Sequence, residues 1–266
     1  MARGARRQGG LGVKAVVLAA GVGRRLGGGP DQPPKSLLRF GHQSLIARHI
    51  EILRHCGIES TLVVTGYKAA LVQDELVHIR AFEENFTRCA LNPDFEAGSI
   101  VSLWTARHEL TSGADILLMD ADVLYDYRLL KQLVESRHVN CFLMDRDIEP
   151  GEEPVKLCVR DGRLVDFHKT VRNAYDYCGE SVGFFRLSPE VASRLALFAE
   201  SYLSNNRRGE WYEEAIRDLL LESPTDTFGF EDVTGMPWIE IDFPEDVARA
   251  EREILPRLEN PPGGRA

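Results

Sequence analysis

The run Val13-Lys14-Ala15-Val16-Val17-Leu18-Ala19 passes directly into Ala20-Gly21-Val22-Gly23-Arg24-Arg25-Leu26. A short, continuous apolar segment that ends in glycines is the pattern of a strand covered on both faces, which a parallel sheet provides. The chain then alternates in a way that sustains this reading. A helix is predicted from Gln43 to Cys56, with Leu45, Ile46, His49, Ile50 and Leu53 on one side, followed by a strand at Ser60–Thr65 and a helix at Lys68–His78. Next come a strand near Arg88–Leu91, a helix from Ser99, the strand Asp115–Met119, the helix Tyr127–Ser136 and the strand Val139–Met144. This rhythm predicts a Rossmann-like, doubly wound α/β sheet.

Beyond Pro150 the pattern changes. Val155–Val159 and Arg163–Phe167 flank Asp161-Gly162, a hairpin turn dipeptide, so antiparallel pairing enters and the sheet is expected to be mixed. A strand at Ser181–Leu187 leads into a helix opened by Ser188-Pro189, with serine as cap and proline in the first helical position. Further helices are expected at Glu210–Leu221 and Pro244–Leu258, the latter preceded by the short strand Trp238–Ile241. No linker or repeat divides this succession, so residues 13–258 read as a single domain. The Arg- and Gly-rich start, residues 1–12, and residues 259–266 read as disordered tails.

A formal net charge of −9 argues against nucleic acid as a partner, and there is no apolar run long enough for membrane insertion. Anionic ligands must therefore meet a local basic site. Five scattered cysteines without a CxxC pair suit reduced thiols in a cytoplasmic protein.

The glycine loop supplies such a site. Glycines at the end of a buried strand let backbone N–H groups approach phosphate oxygens, and Arg24 and Lys35 add positive charge. A Walker A loop requires Gly-Lys-Ser/Thr at a helix start, which is missing, and a dinucleotide fingerprint fails where Leu26 replaces its third glycine. A second chemical feature is Leu117-Leu118-Met119-Asp120-Ala121-Asp122, which brings two carboxylates to the carboxyl edge of the sheet and to the same side of an extended strand. Paired carboxylates with a substrate phosphate suit Mg²⁺.

LAAGVGRRLGG with the following PKSLL resembles the signature of nucleotidyltransferases with a GT-A-like fold. Gly66-Tyr67, Asn92-Pro93 before Ser99-Ile100-Val101-Ser102-Leu103, Gly179-Glu180-Ser181, Tyr212-Glu213 and Glu240-Ile241-Asp242 are similar to the CTP-using branch, which activates phosphocholine, inositol 1-phosphate or aminoalkylphosphonates. The resemblance implies a cytidylyltransferase that consumes CTP, or another NTP, and a small phosphorylated or phosphonate acceptor. It implies that Leu18, Ala19, Ala20, Gly21, Gly23, Gly66, Asn92 and Ser99 surround the nucleotide, while Arg24 and Lys35 bind its β- and γ-phosphates. The resembling enzymes carry glycine where Ala121 stands, so Asp122 is the implied metal ligand and Asp120 a supporting residue; Asp242 matches the second ligand. Lys169 is the implied cation at the acceptor, with Lys156 as its competitor.

At the acceptor end, Tyr175, Tyr177, Trp211 and Tyr212 lie close in sequence to Glu180, Glu213 and Glu214, a composition able to hold an ammonium group. Asn173, Asp176, Glu180 and Ser181 would instead suit a polyol. A sugar 1-phosphate activated with a different NTP is the alternative, and a homodimer is left open. A DxD glycosyltransferase would also display Asp120 and Asp122, but the Arg24 and Lys35 cradle argues against it.

Overall fold

The computed structural model describes residues 12–27, 31–148, 154–259 and 261–262. Most of both expected tails lies outside the described residues. Glu259 is tied to the domain through its N–H, which donates to Asp126 Oδ2 at 2.7 Å.

Nine strands form the main sheet among the described residues: β1 (Val13–Ala19), β2 (Ser60–Thr65), β3 (Thr87–Leu91), β4 (Asp115–Asp120), β5 (Cys141–Asp145), β6 (Lys156–Arg160), β7 (Arg163–His168), β8 (Tyr177–Leu187) and β9 (Gly229–Asp232). The path runs β7-β6-β8-β4-β1-β2-β3, with β5 joined to β8 and β9 joined to β5. β1 is central and parallel to β2 and β4, whereas β8 is antiparallel to β4, β5 and β6. The doubly wound, mixed sheet expected from the sequence is thus present in one domain.

β1 shows why a continuous apolar strand was needed. Val16 packs into the cluster on one face, and Ala15, Val17 and Ala19 into the cluster on the other. Helices supply both covers. The helix Leu45–His55 starts later than Gln43 because Gln43–Ser44 pairs with Arg39–Phe40, and the Ser44 hydroxyl then caps the helix by accepting from Ala47 N at 3.2 Å. Ser188 caps Pro189–Ser204 as the Ser-Pro pair implied. The last helix is α-helical only over Pro244–Arg249 and continues as a π turn at Ala250–Ile254 and a 3-10 turn at Leu255–Arg257.

Two pairings absent from the sequence reading matter for the site. β9 extends the sheet beside β5, and Val123–Tyr125 forms a short antiparallel ribbon with Trp238–Glu240.

A buried ion pair fastens β7 to the helix Tyr212–Leu221. Asp166 is fully buried and receives Arg217 Nε at 2.8 Å, with the N–H groups of Arg172 and Asn173 at 3.1 and 3.2 Å. Burial alone would raise the Asp166 carboxyl, but Arg217 and the two backbone donors hold it below the ordinary range. Arg217→Ala should therefore destabilise the fold by about 3 kcal/mol at neutral pH, because it leaves an uncompensated buried carboxylate. Because the native carboxyl is depressed, the pair's contribution is lost as pH falls through that native pKa. The gap between wild type and variant in urea melts should shrink below about pH 4. A gap that is absent at pH 7, or independent of pH, would contradict this role.

Candidate active site

Backbone pairing explains why distant acids meet. Leu18 at the end of β1 is in register with Asp120 at the end of β4, and Ala121 N donates to Leu18 O at 3.2 Å. The ribbon then aligns Glu240 with Val123, and Ile241 N donates to Asp122 O at 3.0 Å. Asp122, Glu240 and Asp242 consequently offer carboxylate oxygens that all lie within 4.8 Å of one another. Three oxygen donors on a sheet edge fit a hard divalent cation. Asp242 is not consumed as a helix cap. Asp246 instead reaches back to accept from Asp242 N and Phe243 N, at 2.9 and 2.7 Å.

Lys35 lies against these acids, with Nζ 2.9 Å from Asp122 Oδ2 and 2.5 Å from Asp242 Oδ1. Burial disfavours its charge, yet the two carboxylates keep its pKa above the ordinary lysine value. Gly23, at φ +67°, gives the side chain room: a Cβ there would stand 2.9 Å from Lys35 Cγ. From behind, Tyr67 Oη and Lys68 Nζ both donate to Gln32 O, at 3.1 and 2.9 Å, which steadies the approach to Pro33-Pro34-Lys35. Arg25, overlooked in the sequence, adds a contact of 3.3 Å to Asp242 Oδ2. Arg24 reaches the cavity rim, 3.6 Å from Glu96.

Two cavities share this acidic wall. The first, ≈ 410 Å³, contains Leu18, Ala20, Gly21, Gly23, Arg24, Lys35 and Ser99 of the expected nucleotide residues. Ala19, Gly66 and Asn92 support it from behind. Ala19 is buried in the core, and a Cβ on Gly66 would collide with Phe95 and Ala20. Asn92 is fully buried and donates to Ser102 Oγ at 3.0 Å. Ser99 Oγ accepts from Tyr212 N at 2.9 Å, which joins the first cavity to the helix bearing Tyr212 and Glu213.

The second cavity, ≈ 350 Å³, lies beyond Asp120, Tyr212, Glu213, Glu240 and Asp242, which line both. Glu180 and Ser181 line it. Tyr175 does not: it is 46% exposed at the surface. Trp211 lines the first cavity, and its ring is covered by Lys169 Nζ at 4.2 Å from the centroid. Trp238 and Phe243 are among the aromatic residues that line the second cavity, with Trp238 Nε1 donating to Asp145 Oδ2 at 2.7 Å. Lys169 lines both cavities, and Lys156 supports it by donating to Lys169 O at 2.9 Å.

Crowding shifts the acids upward. Burial, then repulsion from Asp122 and Glu213, raises Asp120 well above the ordinary range, and Tyr212 Oη donates to it at 2.6 Å. Burial raises Glu213 to about 7, with Lys169 opposing and Asp122 and Glu214 adding to the rise. Glu240 is raised by its crowded surroundings and by Asp122 and Asp242, although its side chain keeps access to solvent. Away from the site, burial lowers His49 to about 3, where it packs 5.1 Å from the Tyr125 ring as a core residue.

The pattern of the MobA-like NTP transferase domain matches residues 15–170. The bifunctional IPC transferase and DIPP synthase of Thermococcus kodakarensis is 27% identical over 242 residues, 91% of this chain and 50% of that protein. The CMP-5'-(3-aminopropyl)phosphonate synthase of Streptomyces rubellomurinus is 25% identical over 253 residues, 93% of this chain and 40% of that protein. The chain thus spans half or less of the length of these two relatives. Among solved structures, the CTP:phosphocholine cytidylyltransferase of Streptococcus pneumoniae superposes with a TM-score of 0.71 at 20% identity, covering 91% of this chain and 98% of that one, a likeness of fold.

Gly183 connects fold and site. It bulges β8 at φ +78°, and a Cβ there would stand 2.5 Å from Asp120 Oδ2. Gly183→Ala should cost about 1–3 kcal/mol through backbone strain and the clash, read as a lower urea midpoint. An unchanged midpoint would show that neither constraint operates.

Proposed function

Because the chain belongs to the MobA-like NTP transferase domain family, we propose that it is a cytidylyltransferase that moves CMP from CTP to a small phosphorylated alcohol or phosphonate and releases pyrophosphate. The observation that carries this reading is the pair of cavities meeting at one acidic wall. Such an arrangement suits two substrates whose phosphates react across a shared cation site. The relatives named for CMP-phosphonate synthesis and for IPC transfer support the same class of reaction.

In the reaction, an acceptor oxygen forms a bond to the α-phosphorus while the bond to the bridging oxygen of the β-phosphate breaks, and that electron pair leaves with pyrophosphate. The acceptor is already anionic near neutral pH, so the chain's work is positioning and charge neutralisation. The backbone of Leu18, Ala20, Gly21 and Gly23 would cradle the nucleotide, and Arg24 and Lys35 would bind the departing phosphates. Lys169, between the cavities, would offset repulsion between the two phosphates. Asp122, Glu240 and Asp242 would hold Mg²⁺, which supplies Lewis-acid stabilisation of charge on the α-phosphate.

The second cavity favours an ammonium-bearing acceptor. Asp145, Asp147, Glu180 and Asp246 line it together with Trp238 and Phe243, and among the described residues only Lys169 and Arg249 oppose them in charge. Acids with aromatic faces attract a primary or quaternary amine.

Pyrophosphate release should be measured with CTP, UTP, GTP and dTTP against phosphocholine, 2-aminoethylphosphonate, inositol 1-phosphate and glucose 1-phosphate. Mg²⁺-dependent release with CTP and an amine-bearing acceptor is expected; release only with inositol 1-phosphate would overturn the ammonium assignment, and release only with glucose 1-phosphate the acceptor class. Asp122→Ala should retain the folded circular dichroism spectrum and lose at least about 100-fold in turnover. Activity like that of wild type would remove Asp122 from the metal site.

A further inference from the structure

We propose that the Lys35 ammonium is the resident counter-ion of the Asp122–Glu240–Asp242 trio, and that a divalent cation binds by displacing it toward the triphosphate. This inference rests on the proposed nucleotide and metal reading of the site. The Lys35 side chain is mostly buried, and its ammonium bridges Asp122 Oδ2 and Asp242 Oδ1 at 2.9 and 2.5 Å. A divalent cation held by the same oxygens would be pressed directly against that ammonium. Both cannot use these carboxylates in the same geometry, because like charges at such separations repel strongly in a partly buried site.

Displacement has a direction built into the chain. Lys35 lines the nucleotide cavity together with Gly21, Gly23 and Arg24, so its ammonium can leave the acids for anionic oxygens in that cavity. A metal arriving alone breaks two ion pairs and leaves an ammonium without its carboxylate partners. A metal arriving with a triphosphate breaks the same pairs while new ones form. Metal and nucleotide should therefore bind with positive coupling, each raising the affinity for the other by the same factor. The second contact to Asp242, from Arg25, adds to the barrier against metal alone.

The test is Mn²⁺ binding followed by electron paramagnetic resonance, with and without CTP, in wild type and Lys35→Met. Wild type should bind Mn²⁺ weakly alone and more tightly with CTP. The variant should bind nucleotide-free Mn²⁺ about tenfold more tightly than wild type, the scale of one removed charge contact, and CTP should add less in it than in wild type. Adding Asp242→Asn to Lys35→Met should abolish the gain. Nucleotide-free affinity in a folded Lys35→Met no greater than in wild type would overturn the inference alone. No Mn²⁺ binding by either protein, even with CTP, would overturn the metal reading as well. Should Lys35→Met fail to fold, amine acylation of wild type read by mass spectrometry decides the matter. Millimolar Mg²⁺ alone should increase labelling of Lys35 if the cation displaces it, and unchanged labelling would contradict the displacement.

Discussion

Carboxylates that repel one another must be held together by something other than their own chemistry, and here backbone hydrogen bonding does it. The parallel pairing of β1 with β4 fixes Asp120 beside the glycine loop, and the ribbon of Val123–Tyr125 with Trp238–Glu240 brings Asp242 to Asp122. Lys35 then closes the cluster from positions 87 and 207 residues away in sequence. Cross-strand bonds, not the acids' mutual preferences, set the separation, and the lysine offsets part of the repulsion. The cavity walls and the crowded acids follow from that pairing.

The parts of this fold that sequence reading recovered are those with local causes. The continuous apolar run of β1, the Asp161-Gly162 turn and the Ser188-Pro189 cap each carry their signal within a few residues, and each stands where expected. The glycine loop with Lys35 and the edge pair Asp120 and Asp122 were also legible, because a phosphate cradle and paired edge carboxylates have recognisable spacing, whereas Asp242 entered only through the resemblance of Glu240-Ile241-Asp242 to the CTP-using branch. What escaped notice depends on contacts across the chain. Glu240 joins the acidic trio only through the ribbon, and its partner strand Val123–Tyr125 has too few residues to show a period. Arg25 resembles any loop arginine until Asp242 is beside it.

The second cavity shows the same limit more sharply. Tyr175 and Trp211 have the composition of an ammonium cage, yet one points to solvent and the other is stacked under Lys169. Trp238 and Phe243, from the far end of the chain, line the second cavity. Gly183 gave no sequence signal either, since its importance lies in the room that it leaves for Asp120.

Adjoining cavities with one wall between them predict a direct transfer, in which the acceptor itself attacks the α-phosphorus and no side chain carries the nucleotidyl group. The stereochemistry at that phosphorus tests this most directly. With CTP made chiral by sulfur at the α-position, the product of a single in-line displacement has inverted configuration, which ³¹P NMR of the thio-product reads. Inversion is the result predicted here; retention would require two displacements through a covalent enzyme intermediate and would contradict the account.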